Sequence, residues 1–98
     1  MMPSQARLLA MIEQAMESKP PAMHRRLKAS GSLRAELEQR ADLAQETYET
    51  VIGAPDSPYA RAAKFDGNPL RKQAMFNRAT SQATEQALEV ALEFPKES

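Results

Sequence analysis

The most regular pattern of apolar positions in the chain lies between residues 69 and 94. Apolar or small side chains recur there every three or four positions, which keeps them on one side of a helix. This first stripe consists of Phe76, Thr80, Ala83, Ala87, Val90 and Phe94. A second stripe beside it consists of Leu70, Ala74, Leu88 and Leu92. The pattern predicts a long helix that must bury against two neighbours.

Small residues also repeat at every fourth position of this segment, at Ala79, Ala83, Ala87 and Ala91. Side chains of this size allow another helix to approach closely, so we interpret the ridge as core packing. Pro69 has a φ angle suited to the first helical position, and Asn68 before it can accept hydrogen bonds from the first-turn amides. We therefore expect the helix to begin at Pro69.

The N-terminal half of the chain shows similar periodicity, interrupted by prolines and glycines. Ser4 can cap a first helix that ends near Lys19, because two prolines follow. A short helix over about 22–29 comes next, and Gly31 can terminate it before Ser32 caps a long helix over 33–52. A single bent helix over 22–52 fits the same pattern.

A further short helix is predicted between the two long ones. Ser57 and Pro58 repeat the arrangement of a cap followed by proline, and the helix should continue through about Lys64. Residues 66–68 then form a turn. The chain has no alternating, β-branched run of the kind that a strand needs.

These elements predict an all-α fold, a small antiparallel helical bundle of about four to five helices. The long helices, about 33–52 and 69–94, form the main hairpin, since a short connection favours antiparallel neighbours. A chain of 98 residues suits a single domain over 1–98.

Charge changes this picture because it is arranged in blocks, although 13 basic and 13 acidic residues cancel overall. Residues 19–34 sum to +5, 35–60 to −5, 61–78 to +4 and 79–98 to −3. In an antiparallel hairpin, we expect the acidic face of 38–49 to pair with the bases of 61–78, unless those bases are free. We likewise expect Glu85, Glu89 and Glu93 to be covered by the bases of 25–34.

The chain offers little for catalysis or metal binding. His24 is the one histidine and cysteine is absent, so a zinc site of usual composition is not expected and we interpret His24 as a surface residue. We predict neither enzymatic activity nor a cofactor, metal or small-molecule site. Glu13 and Glu17 interrupt the first apolar segment, which argues against a secretory signal. We expect a cytoplasmic protein without a membrane partner.

The leading functional hypothesis is a protein–protein interaction module of unknown process. A doubly apolar helix in a chain with few large residues can leave part of its surface uncovered, and such patches mark interfaces. The candidate interface residues are Leu70, Met75, Leu88, Leu92 and Phe94. We expect the partner to be a second copy of the chain, giving a homo-oligomer, or a larger protein that it docks on and regulates.

The alternative hypothesis is nucleic-acid binding through a helix-turn-helix-like segment over 58–78. Tyr59 and Phe65 can brace it. The candidate contacts are Arg61, Lys64, Arg71, Lys72 and Arg78. The acidic helix beside them would repel a nucleic acid duplex, so we place this hypothesis second.

Overall fold

The computed structural model describes residues 2–95, and these form five α-helices and no strand. They are α1 (Gln5–Ser18), α2 (Pro21–Ser30), α3 (Leu33–Gly53), α4 (Pro58–Lys64) and α5 (Pro69–Ala91). The predicted all-α bundle is confirmed. Gly31 adopts the left-handed conformation, with φ of 79°, between α2 and α3, so residues 22–52 form two helices rather than one bent helix.

Three of the predicted helix caps are present. The Ser4 hydroxyl accepts a hydrogen bond from the Arg7 amide, and the Ser57 hydroxyl accepts one from the Ala60 amide. Asn68 accepts from the amides at the start of α5. The predicted cap at Ser32 is wrong, because its hydroxyl pairs with that of Ser30 and makes no cap hydrogen bond.

The last helix ends three residues earlier than predicted, at Ala91 instead of Phe94. Pro95 disfavours helical geometry at the residue before it, which limits how far the helix can continue. The carbonyl oxygens of Ala91 and Glu93 accept hydrogen bonds from the Arg40 guanidinium instead, at 3.2 and 2.9 Å.

The main hairpin consists of α3 and α5, which make the most extensive contact in the bundle. They run antiparallel, since Arg40 in the first half of α3 reaches the end of α5. The alanine ridge of α5 is buried along its whole length, and Ala41 and Ala44 of α3 are buried in the same core. Small side chains on both helices let the backbones approach closely, as the sequence predicted.

The bundle is elongated, with extents of 55 × 21 × 20 Å. Its radius of gyration is 16.6 Å, against about 13 Å for a compact domain of this size. Most of the large core side chains come from α1 and pack where α3 begins and α5 ends; they are Leu8, Leu9, Ile12 and Met16, and Leu37 of α3 joins them.

The opposite end of the hairpin, which we call the α4 end, is covered by α4. Ala62 and Ala79 are buried there, and Tyr59 contacts Phe76 edge to face with ring centroids 4.9 Å apart. Helix α1 packs against α2 and α3, whereas α4 packs against α5 and α3 at this end of the hairpin. Much of the first half of α5 therefore remains accessible to solvent.

Candidate functional site

A groove of about 530 Å³ lies between α4 and α5 at the α4 end. Its lining consists of Pro58, Arg61, Arg71, Ala74, Met75, Arg78, Ala79 and Gln82. We call it the arginine groove, because three guanidinium groups surround a mainly apolar floor. Guanidinium groups bind carboxylates and phosphates, and the floor can accept an apolar side chain.

The three groove arginines are positioned by α4 and α5. Arg71 and Arg78 are seven residues apart, two turns of α5, and therefore lie on the same side of that helix. The Arg71 guanidinium lies 5.8 Å from the centre of the Phe65 ring. Arg61 comes from α4, which the Tyr59–Phe76 contact holds against α5.

The groove arginines make no ion pair within residues 2–95, where the four ion pairs involve other basic residues. The predicted pairing of 61–78 with the acidic face of 38–49 is therefore wrong. The reason is geometric: α3 faces the core with Leu37, Ala41 and Ala44, so its acidic residues project into solvent on the far side. The predicted pairing of Glu85, Glu89 and Glu93 with the bases of 25–34 is also not found in this range.

The outward side of α3 forms a second surface with the opposite charge. A shallow depression there is lined by Ala35, Glu38, Gln39, Asp42, Leu43 and Glu46. We call it the acidic face. Leu43 is 43 % exposed. The other exposed large apolar side chain among the described residues is Leu70, at 81 %. Leu43 lies beside acidic residues of α3, and Leu70 lies beside Arg71 and Lys72.

The five candidate interface residues do not form one surface. Leu70 is exposed at the start of α5, and Met75 is half-buried in the arginine groove. Leu88, Leu92 and Phe94 are half-buried against the core at the other end. Among the candidate nucleic-acid contacts, Arg61, Arg71 and Arg78 line the groove, whereas Lys64 and Lys72 lie outside its lining.

Arg40 is a structural residue that the sequence analysis missed. Its guanidinium pairs with Glu36 at 2.9 Å, caps the end of α5 and lies 4.5 Å from the centre of the Phe94 ring. A cation at a helix C-terminus interacts favourably with the helix dipole. The signal in the sequence was a lone base within the acidic block of 35–60.

His24 is buried, with 11 % of its side chain exposed, so its prediction as a surface residue is wrong. Its Nε2 atom lies 3.1 Å from Glu13 Oε2 and 3.5 Å from Glu17 Oε1. Glu13 and Glu17 are four residues apart on one side of α1. The turn through Pro20 brings α2 back against α1, which places the histidine beside both carboxylates. No local sequence pattern brings these three residues together, because the turn between α1 and α2 sets their approach.

The fold and the groove define an all-α helical bundle with a basic, partly apolar groove at one end. No protein-family model, curated protein or solved structure matches the chain. Among residues 2–95, no helix combines the length and apolar content required to cross a bilayer.

Proposed function

We propose that the chain is a protein-interaction module that binds a second copy of itself, with the arginine groove of one copy receiving the acidic face of the other. The supporting observation is that, among residues 2–95, no ion pair joins either surface to another helix. The groove arginines make no ion pair in this range, Glu38 pairs only with Arg34 of its own helix, and acidic residues of α3 surround the exposed Leu43. One chain thus carries two complementary surfaces.

The register of the hairpin separates the two surfaces along the molecule. Because Arg40 meets the carbonyl of Ala91, the acidic face lies toward the end where α5 terminates. The arginine groove lies near the start of α5. The arginine groove of one copy can therefore meet the acidic face of a second copy in a head-to-tail contact.

The expected association is weak. Each exposed ion pair contributes about 0–1 kcal/mol. Burial of an apolar side chain such as Leu43 adds roughly 1.5–3 kcal/mol when complete, and part of this gain offsets the entropy lost on association. We therefore expect a dimer that dissociates in the micromolar range.

Sedimentation velocity over micromolar to submillimolar concentrations tests the proposal. The wild-type chain should shift from monomer to dimer, and the double variant Arg71→Glu/Arg78→Glu should remain monomeric. The double variant Asp42→Lys/Glu46→Lys should also remain monomeric. A chain that carries all four substitutions should dimerise again, because the charges are exchanged between the two surfaces.

Arg25→Glu is the matched control, since Arg25 is exposed on α2 and outside both surfaces. It should dimerise like the wild type. A wild-type chain that stays monomeric throughout contradicts self-association. In that case, the hypothesis to examine is that the chain docks on a larger protein, which supplies the acidic, partly apolar segment.

A second candidate function is nucleic-acid binding through α4 and α5. One observation favours it: the guanidinium groups of Arg61, Arg71 and Arg78 line one groove and make no ion pair among the described residues. Fluorescence anisotropy with duplex DNA at low salt tests this candidate. Arg71→Ala and Arg78→Ala should each weaken binding and reduce its salt dependence. Absence of binding, or binding that both variants leave unchanged, removes this function.

A further inference from the structure

We propose that Glu13, Glu17 and His24 form a binding site for a divalent transition-metal ion, with Zn²⁺ as the preferred ion. The three ligand atoms are Glu13 Oε2, Glu17 Oε1 and His24 Nε2, and all lie within 4.8 Å of one another. They come from two helices, so the ion would join α1 to α2. This site is independent of the arginine groove and of self-association.

The geometry of the histidine supports the assignment. The Nε2 atom carries at most one hydrogen, so it can donate one well-directed hydrogen bond. Two carboxylate oxygens nevertheless approach this single atom, at 3.1 and 3.5 Å. A cation between the three atoms interacts with both carboxylates and with the nitrogen lone pair at once.

The distances suit an ion of this size. Zinc binds nitrogen and oxygen ligands at about 2.0–2.2 Å, which places neighbouring tetrahedral ligand atoms about 3.3–3.6 Å apart. The separations from Nε2 are already close to this range. Small rotations of the two glutamate side chains, which are 38 % and 53 % exposed, can adjust the rest.

The donor set selects the class of metal. Calcium and magnesium prefer oxygen ligands, whereas imidazole nitrogen suits zinc and its transition-metal neighbours. Three protein ligands leave a fourth position for water. The glutamates also line a shallow depression on the outer side of α1, which gives an ion access from solvent.

Isothermal titration of the full-length chain with zinc chloride tests the site. The wild type should bind one equivalent, and His24→Gln and Glu17→Gln should each reduce the affinity tenfold or more. Glu38→Gln is the control, because it removes an acidic charge from α3 and should leave the affinity unchanged. Circular dichroism should show that each variant retains the helical content of the wild type.

Two further measurements separate coordination from a general effect of charge. Cobalt(II) bound to the wild type should give visible absorption bands of a low-coordinate site, and Glu17→Gln should lose them. Zinc should raise the midpoint of thermal unfolding of the wild type and not that of Glu17→Gln, since binding to the folded state stabilises it. Because Glu17 is exposed, this variant tests the site even if His24→Gln unfolds.

Absence of zinc binding at submillimolar concentration overturns the proposal. Equal affinity in the wild type and Glu17→Gln overturns it as well. That outcome leaves the cluster as a histidine that contacts two carboxylates without a metal ion.

Discussion

Arg40 shows how one side chain can connect distant parts of this chain. Arg40 belongs to α3, yet its guanidinium donates hydrogen bonds to the carbonyl oxygens of Ala91 and Glu93. Only 14 % of the side chain is exposed, so water competes weakly for these contacts. Arg34 on the same helix pairs with Glu38 at the same spacing but is 74 % exposed.

We predict that Arg40→Met lowers the free energy of unfolding by about 1–3 kcal/mol, because hydrogen bonds from a charged donor to the α5 carbonyls are lost. Methionine retains most of the apolar stem, which limits the loss of packing. Urea unfolding followed by circular dichroism measures the change. Arg34→Met is the control and should change stability by less than about 0.5 kcal/mol, since its ion pair is exposed. Equal effects in the two variants would show that the cap of α5 contributes little.

At the scale of the element, α5 is buried through its smallest side chains. The sequence predicted two apolar stripes, and the structure places the alanine ridge deepest in the contact with α3. The larger residues of both stripes are half-buried or exposed on either side of it. The close packing of α5 against α3 therefore depends on the small size of the alanine side chains along the ridge.

We predict that Ala87→Leu destabilises the chain by about 1–3 kcal/mol, because three extra carbon atoms must fit where no space is accessible to solvent. Ala74→Leu introduces the same side chain at an exposed position of the same helix and should change stability by less than about 0.5 kcal/mol. Thermal and urea unfolding at low micromolar concentration, where the monomer dominates, should be used for both. Tolerance of leucine at position 87 would contradict close contact between α3 and α5.

At the scale of the whole molecule, different helices cover the two ends of the hairpin. One end is closed by the large side chains of α1, and the α4 end by a helix of seven residues. Regions with few buried apolar contacts open more readily to hydrogen exchange. The α4 end also carries the arginine groove, so the least covered part of the fold coincides with the surface proposed to bind a partner.

We predict that amide hydrogen exchange is slowest at 37–44 and 83–91, where α1 covers the hairpin, and fastest within α4 and the first turns of α5. Raising the protein concentration into the range of the proposed dimer should slow exchange in α4 and the first half of α5, along with 35–46. Hydrogen exchange measured by mass spectrometry at two concentrations provides the data. A dimer that leaves both regions unchanged must use another surface.

The sequence by itself determined the helices, most of their boundaries and the faces they bury. These features depend on interactions within a few residues, such as the caps at Ser4 and Asn68, and on apolar periodicity. The alanine ridge of α5 was predicted for that reason. All three groove arginines were also among the candidate residues, because they fall in one basic block.

Only the tertiary structure decided which charged groups meet. Asp42 and Arg78 are exposed on different sides of the bundle and form no ion pair within the described range, although their blocks have opposite charge. Arg40 at the end of α5, and His24 between two glutamates, are contacts between helices whose rotation and register no local pattern specifies. Periodicity shows which face of a helix is apolar, whereas packing determines which neighbour that face contacts and where long polar side chains end.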